Sequence, residues 1–183
     1  CKLNAQILSG VKELGYETAT PIQEKAIPSI LAGLDVVGTA QTGTGKTAAF
    51  ALPLLQRLMD GPRGQLRGLI LAPTRELAEQ IRQSIDRLAI RTGLRCTAIY
   101  GGANLVKQYQ ILRRGVDIVI ACPGRLLDHI NRGNINLTQV EVLVLDEADH
   151  MFDLGFREPI YKIIRHLPKK RQNLLFFSIL SKE

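Results

Sequence analysis

The run Asp35-Val36-Val37-Gly38-Thr39 leads into Ala40-Gln41-Thr42-Gly43-Thr44-Gly45-Lys46-Thr47, and this junction constrains the fold more than any other stretch of the chain. A β-rich run, then glycines, then a Lys-Thr pair predicts a strand, a tight loop and a helix starting near Lys46. Gly43 and Gly45 let backbone N–H groups turn inward around phosphate oxygens. Lys46 has the reach for β and γ phosphates, and the Thr47 hydroxyl can hold Mg²⁺. The first helical turn adds the positive end of its dipole. Only Ala40 departs from the strict spacing Gly-x-x-x-x-Gly-Lys-Ser/Thr. The plain alternative is a Gly-rich turn that happens to carry a lysine, and the strand–turn–helix setting argues against it.

The same alternation runs along the rest of the chain. Gly68–Ala72, Arg95–Tyr100, Asp117–Cys122, Val140–Leu145 and Asn173–Phe177 read as further short strands. Helical patterns lie between them, over Glu76–Thr92, Leu105–Arg113, Arg125–Arg132 and Phe156–Leu167. Residues 1–33 read as helical, split by Gly15 to Pro21. Strands apolar on both faces that alternate with helices predict an α/β domain with a mostly parallel central sheet and helices on both faces. Right-handed crossovers would put the C-terminal ends of the strands on one rim, where ligands bind. The loop Gly61–Arg67 reads as a mobile insertion. No repeat, low-complexity tract or linker divides the 183 residues, so one domain is expected.

A second acidic feature belongs to the same rim. The apolar run ending at Leu145 is followed by Asp146-Glu147-Ala148-Asp149. Asp146 is placed to bind Mg²⁺, and Glu147 to orient or deprotonate an attacking water. The competing reading is an acidic cap for the next helix, a role that suits Asp149. With the phosphate loop already present, the two features together point to hydrolysis of ATP or GTP.

Composition excludes several other classes. Apolar residues make up 45% and charged residues 22%, which rules out disorder and collagen. The apolar runs are too short to cross a bilayer, and the N-terminus lacks the layout of a signal peptide. Three cysteines, Cys1, Cys96 and Cys122, argue for a reducing compartment. The 24 Lys and Arg against 17 Asp and Glu give +7, which favours a polyanionic partner, although a solvated basic face would look the same.

At this point the chain resembles the first RecA-like domain of a DEAD-box ATP-dependent RNA helicase, from about residue 3 to residue 177. The resemblance rests on AQTGTGKT at 40–47, on DEAD at 146–149, and on Gly15-Tyr16 followed by Thr20-Pro21-Ile22-Gln23, which is similar to the Q motif. Pro73-Thr74-Arg75-Glu76-Leu77-Ala78 is similar to motif Ia, Gly101-Gly102 to the GG motif and Pro123-Gly124-Arg125 to the end of motif Ib. It implies ATP and Mg²⁺ as cofactors, held by Tyr16, Thr20, Gln23 and residues 40–47, with Thr47 and Asp146 on the metal and Lys46, Asp146 and Glu147 as the catalytic groups. Gln23 would read adenine through its side-chain amide, which favours ATP over GTP. RNA backbone would lie on Pro73, Thr74, Arg75, Gly101, Gly102, Gly124 and Arg125, with little sequence preference. Without Trp and with 5% aromatic residues, base stacking is not expected. Asp149 and Ser178 would couple the ATP site to a domain–domain interface. A cytoplasmic, membrane-free location and a monomeric isolated domain are expected.

The pattern is incomplete in places. The family's upstream aromatic would fall before residue 1. Cys122 stands where motif Ib has Thr, and only a weak thiol donor is left there. Motif III should read Ser-Ala-Thr, but the chain reads Phe176-Phe177-Ser178-Ile179-Leu180, so the Thr place is apolar, Asp149 loses a possible partner, and residues from Ser178 onward should be poorly ordered. A second RecA-like domain, carrying arginine fingers and half of the RNA site, is absent from these residues, which are expected to be a piece of a longer protein. Unwinding by this piece alone is not expected. Two other functions stay open: another P-loop motor acting on DNA or transport, and a non-catalytic, nucleotide-dependent RNA clamp.

Overall fold

The computed structural model describes residues 3–41 and 43–178. Among them, six strands form a single sheet in the order β1-β6-β5-β2-β4-β3, with every pairing parallel. The strands are β1 Val36–Ala40, β2 Gly68–Leu71, β3 Cys96–Ile99, β4 Ile118–Ala121, β5 Val142–Leu145 and β6 Gln172–Ser178. The eight helices are α1 Ala5–Glu13, α2 Pro21–Leu31, α3 Lys46–Met59, α4 Arg75–Leu88, α5 Leu105–Arg113, α6 Pro123–Asn131, α7 Ala148–Asp153 and α8 Arg157–Arg165. The expected α/β domain is present, and its sheet is wholly rather than mostly parallel.

Alternate strand residues feed two cores, as a period of two requires. Ile70, Ile118, Ile120, Val144, Leu174 and Phe176 meet α1 to α4 on one face, where Phe50, Leu54, Leu55 and Ile81 are buried. Leu69, Leu71, Val119, Leu143 and Leu145 meet Leu126, Met151, Ile160 and Ile163 on the other. The helix α3 crosses its face of the sheet almost wholly buried, and the rings of Phe50 and Phe176 lie 5.4 Å apart. Gly38 in β1 accommodates that pair, because a Cβ there would lie 2.8 Å from the Phe176 ring.

Boundaries moved where capping decides them. The helix expected over Glu76–Thr92 starts at Arg75, because the Thr74 hydroxyl accepts from the Leu77 N–H at 3.2 Å. It ends at Leu88, and Thr92 closes the following turn by donating to Ala89 O at 2.8 Å. The loop Gly61–Arg67 is not a free insertion. The buried Arg67 guanidinium donates to Asp60 O at 2.7 Å and to Leu58 O at 3.2 Å, and Gly64 N donates to Asp117 Oδ1 at 2.8 Å. Asp117 is 53 positions from Gly64, a partner that composition alone could not supply. No helix among the described residues is long and apolar enough to cross a membrane.

Candidate nucleotide site and nucleic-acid face

Apart from the Gly15–Gln23 segment, which lies between α1 and α2, every segment singled out above ends or follows a strand, so these converge on the rim formed by the C-terminal ends of the sheet. Sheet order then sorts them. The phosphate-loop segment follows β1, Ser178 ends β6 and Asp146-Glu147 follow β5. The segments after β2, β4 and β3 carry Thr74-Arg75, Pro123-Gly124-Arg125 and Gly101-Gly102. Half of the rim thus holds the segments expected to bind phosphate and the other half those expected to meet RNA.

The phosphate loop has the backbone that its glycines predict. Gly43 and Gly45 have φ of 80° and 84°, values that side chains rarely adopt. Gly45 immediately precedes α3, so the helix N-terminus faces the loop. Thr44 Oγ1 donates to Gln41 O at 2.6 Å, which braces the turn, and Ala40 is the buried last residue of β1. Thr42 lies outside the described residues. Lys46 is buried, and its Nζ donates to Ser178 Oγ at 3.0 Å and lies 3.9 Å from Asp146 Oδ1.

Asp146 is buried at the end of β5. Burial pushes its carboxyl up to about 6; the Lys46 ammonium pulls it down, while the Glu147 and Asp149 carboxylates push it up. Its Oδ1 also accepts from the Glu147 N–H at 3.0 Å. Glu147 has φ 52°, the only positive value among the described non-glycine residues, and precedes the short helix α7. A β-carbon in that region costs energy, and such strain is concentrated at functional sites. Its side chain does not cap α7; Glu147 Oε2 instead pairs with His150 Nδ1 at 3.2 Å.

Asp149 is half-buried rather than fully enclosed, and its Oδ1 accepts from Ser178 N at 3.4 Å. The expectation that it loses its partner is therefore corrected: the backbone of β6 supplies one. Ser178 is ordered strand, and residues 179–183, on which the rest of the motif III expectation falls, lie outside the described residues.

Gln23 is not a surface residue at the start of α2. It is buried, its Oε1 accepts from Thr20 N at 3.1 Å, and its Nε2 donates to Gly45 O at 3.2 Å. The amide ties the Q-motif segment to the phosphate loop and still has one N–H and one lone pair to spare. Thr20 Oγ1 is buried, lies opposite the Gln23 backbone N–H in the capping box of α2, and faces Gly45.

A cleft of about 490 Å³ opens from this loop. Tyr16, Lys46, Thr47, Asp146 and Glu147 line it, together with Leu77, Gln80, Gln83, Ser84 and Arg87 of α4. The α4 side was missed from sequence. Its signal was the polar stripe Gln80, Gln83, Ser84 and Arg87, spaced for one helical face. Among the described residues no group of three or more His, Cys, Asp or Glu side chains could hold a metal. The available donors are the Thr47 hydroxyl and Asp146, a sparse oxygen set that fits Mg²⁺ completing its shell with water and phosphate. A second cavity, of about 400 Å³, lies beside Gly64, Val116 and Asn134 at the other end of the strands and contains none of the motif residues.

On the other half of the rim, Pro73 is buried, Thr74 caps α4, and exposed Arg75 lies 5.0 Å over the Tyr100 ring. Gly101, Gly102 and Gly124 are exposed, and a Cβ at any of them would meet nothing within 4 Å. Arg125 faces inward: its NH1 donates to Ala103 O at 2.9 Å and to Gln108 Oε1 at 3.0 Å. Cys122 precedes α6, half-buried, its thiol pushed up to about 11 by burial and then by Glu76, which disfavours the thiolate.

Comparison with known proteins agrees with this arrangement. The DEAD/DEAH box helicase family model matches residues 20–178. The chain is 47% identical over 174 residues to the ATP-dependent RNA helicase CshA of Listeria monocytogenes, covering 95% of this chain and 33% of that protein. It is 48% identical over 177 residues to the ATP-dependent rRNA helicase rrp3 of Emericella nidulans, covering 96% and 38%. The CshA of Limosilactobacillus reuteri is 45% identical over 181 residues, covering 99% and 36%. The chain thus spans about a third of the length of these curated relatives. By its family match, its sheet order and the loops that this order brings to one rim, the chain belongs to the DEAD/DEAH box helicase family.

Proposed function

We propose that this chain is the ATP-binding and ATP-hydrolysing domain of an ATP-dependent RNA helicase, with nucleotide on the β1–β6–β5 half of the rim and RNA backbone on the β2–β4–β3 half. The observation that carries the reading is the buried pair Lys46 and Asp146, 3.9 Å apart at the mouth of the phosphate loop. Two opposite charges buried in the wall of the cleft, with Ser178 Oγ, at 3.0 Å, and the Glu147 N–H, at 3.0 Å, as their further partners among the described residues, suit the binding of a charged ligand better than the stability of the fold.

The roles follow from the geometry. Backbone N–H groups of the phosphate loop and the start of α3 cradle the phosphates, and Lys46 neutralises their charge. Gln23 offers its spare N–H and lone pair to adenine N7 and N6, a pattern that guanine does not match. Tyr16 stands at the edge of the same cleft. Thr47 and Asp146 would hold Mg²⁺, which would supply charge neutralisation to the phosphates. Glu147, turned out of the strand direction by its left-handed backbone, is placed to orient a water and accept its proton. Asp149 and Ser178 join this centre to the end of β6, where a second domain would respond to it.

RNA as the second ligand is supported by the glycines. Nothing inside the fold fills the space beside Gly101 or Gly124, and neither has a positive φ, so close approach of an external backbone is the reason left for them. Arg75 and the net charge of +7 supply the cations.

The experiment uses residues 1–183 alone and joined to the second domain of the Listeria relative. Alone, the chain should turn ATP over very slowly and separate no duplex, because phosphoryl transfer lacks an arginine finger, worth roughly 10³ to 10⁵ in rate. Joined, turnover should rise with single-stranded RNA and much less with DNA. Equal stimulation by both would favour another motor, and robust unwinding by the 183 residues alone would contradict the reading.

A further inference from the structure

Gln108 lies in α5, outside every motif used above, yet it is 6% exposed and bonded through both its amide nitrogen and its oxygen. Its Nε2 donates to Tyr100 O at 3.1 Å, at the entry of the Gly101-Gly102 turn. Its Oε1 accepts from Arg125 NH1 at 3.0 Å, and the same NH1 donates to Ala103 O at 2.9 Å, at the exit of that turn. One amide and one guanidinium, bonded to each other, therefore hold both ends of the exposed turn. The array continues on either side. The Tyr100 ring lies under Arg75, and Tyr100 OH donates to Glu79 Oε1 at 2.7 Å, on α4. His129, wholly buried, faces Gln108 Oε1 through Nε2 at 3.2 Å, and its Nδ1 faces the Asn134 amide nitrogen at 3.2 Å.

The donors fix the chemistry. An amide nitrogen only donates, so His129 Nδ1 is the acceptor and Nε2 carries the proton. Burial, then the Arg125 charge, holds the imidazole below its ordinary value and so neutral. Gln108 Oε1 thus receives two donors, and its nitrogen can only face Tyr100 O. The orientation of this amide is over-determined, which a side chain merely filling space would not require.

We propose that Gln108 is a positioning residue for RNA binding, which sets the Gly101-Gly102 turn and Arg125 as one unit against the RNA backbone. This rests on the RNA reading of the rim given above. Gln108 touches no RNA itself; it acts through Arg125 and the turn.

The test is a double-mutant cycle on residues 1–183, reading the anisotropy of a labelled single-stranded oligoribonucleotide and, separately, ADP affinity by calorimetry. Gln108→Met keeps the shape and removes every hydrogen bond. RNA affinity should fall about fivefold or more, the equivalent of one or two ordered contacts, with ADP affinity unchanged. Arg125→Ala should weaken RNA binding, and adding Gln108→Met to it should cost little further. Should Gln108→Met fail to fold, Gln108→Glu keeps the acceptor for Arg125 and His129 but sets an oxygen against Tyr100 O, and it should also weaken RNA binding. Wild-type RNA affinity in either folded Gln108 variant while Arg125→Ala is impaired, or fully additive losses, would overturn the positioning role and leave the RNA reading standing. No loss in Arg125→Ala and no RNA binding by the wild type would bring down both.

Discussion

Lys46 Nζ donates to Ser178 Oγ at 3.0 Å, which bonds the phosphate loop to the end of β6 across 132 positions of chain. The same lysine lies 3.9 Å from Asp146, so two strands compete with the ligand for one ammonium. Ser178→Ala removes the neutral competitor. The folded state should lose about 1 kcal/mol, the net worth of a hydrogen bond, while ADP affinity stays the same or rises slightly. Thermal unfolding and ADP titration of this variant check both halves, and a large loss of ADP affinity would show that Ser178 holds the nucleotide directly.

Lys46→Ala and Glu147→Gln should fail in different ways. Loss of a charge-assisted contact worth about 1.5–3 kcal/mol should weaken ADP binding at least about tenfold in the first. The second should bind ADP nearly as the wild type does and lose residual turnover by about 10²-fold, because the role proposed for Glu147 is on the attacking water. Calorimetry paired with single-turnover hydrolysis separates them, and parallel affinity losses would contradict the assigned roles.

Arg67 is the stability anchor at the far end of the sheet, bonded to Glu141 Oε1 at 2.6 Å and to carbonyls of the loop before β2. Arg67→Met should cost roughly 1–3 kcal/mol, because it leaves carbonyls without their donor and Glu141 with Arg57 as its remaining cation. Burial alone would raise the Glu141 carboxyl, but hydrogen bonds from Arg67 and Arg57 outweigh it and hold it below its ordinary value. A depressed carboxyl stabilises the fold above its unfolded value, near 4.3, and that contribution is lost as pH falls through the lower folded value. Urea unfolding at pH 7 and near pH 3 should therefore show a smaller gap between wild type and variant at the acid end. A gap that stays constant or widens there would remove Glu141 from the explanation.

In a fusion with a helicase second domain, Ile179→Ala together with Leu180→Thr restores the expected Ser-Ala-Thr after β6. RNA-stimulated ATP turnover should change little, whereas strand separation should improve. Equal strand displacement by both tails would make the difference functionally silent.

The strands were legible because each is a short run apolar on both faces, and that pattern survives without knowledge of neighbours. Their limits shifted by a residue or two where the ladder decides: the run expected from Val140 pairs only from Val142, and that expected from Asn173 begins at Gln172. The residues at Lys46 and Asp146 were legible because local backbone, glycine and acid placement carry the signal. Gln108, His129 and Arg67 were not, since each gains its meaning from partners 17 to 74 positions away. The loop Gly61–Arg67 looked free on composition for the same reason. Arg125 was found by motif as an expected RNA contact, but its two protein acceptors, Ala103 O and Gln108 Oε1, could not be read from the motif.

The most direct test of the account is the nucleotide preference of residues 1–183. ADP and GDP are titrated with Mg²⁺ into the wild type and into Gln23→Ala. Gln23 is already bonded to Gly45 O at 3.2 Å and to Thr20 N at 3.1 Å, so one N–H and one lone pair remain for the base. The wild type should bind ADP at least about tenfold more tightly than GDP, the worth of one well-placed bidentate contact. Gln23→Ala should narrow that preference mainly by weakening ADP. Equal affinity of the wild type for the two nucleotides would contradict the account.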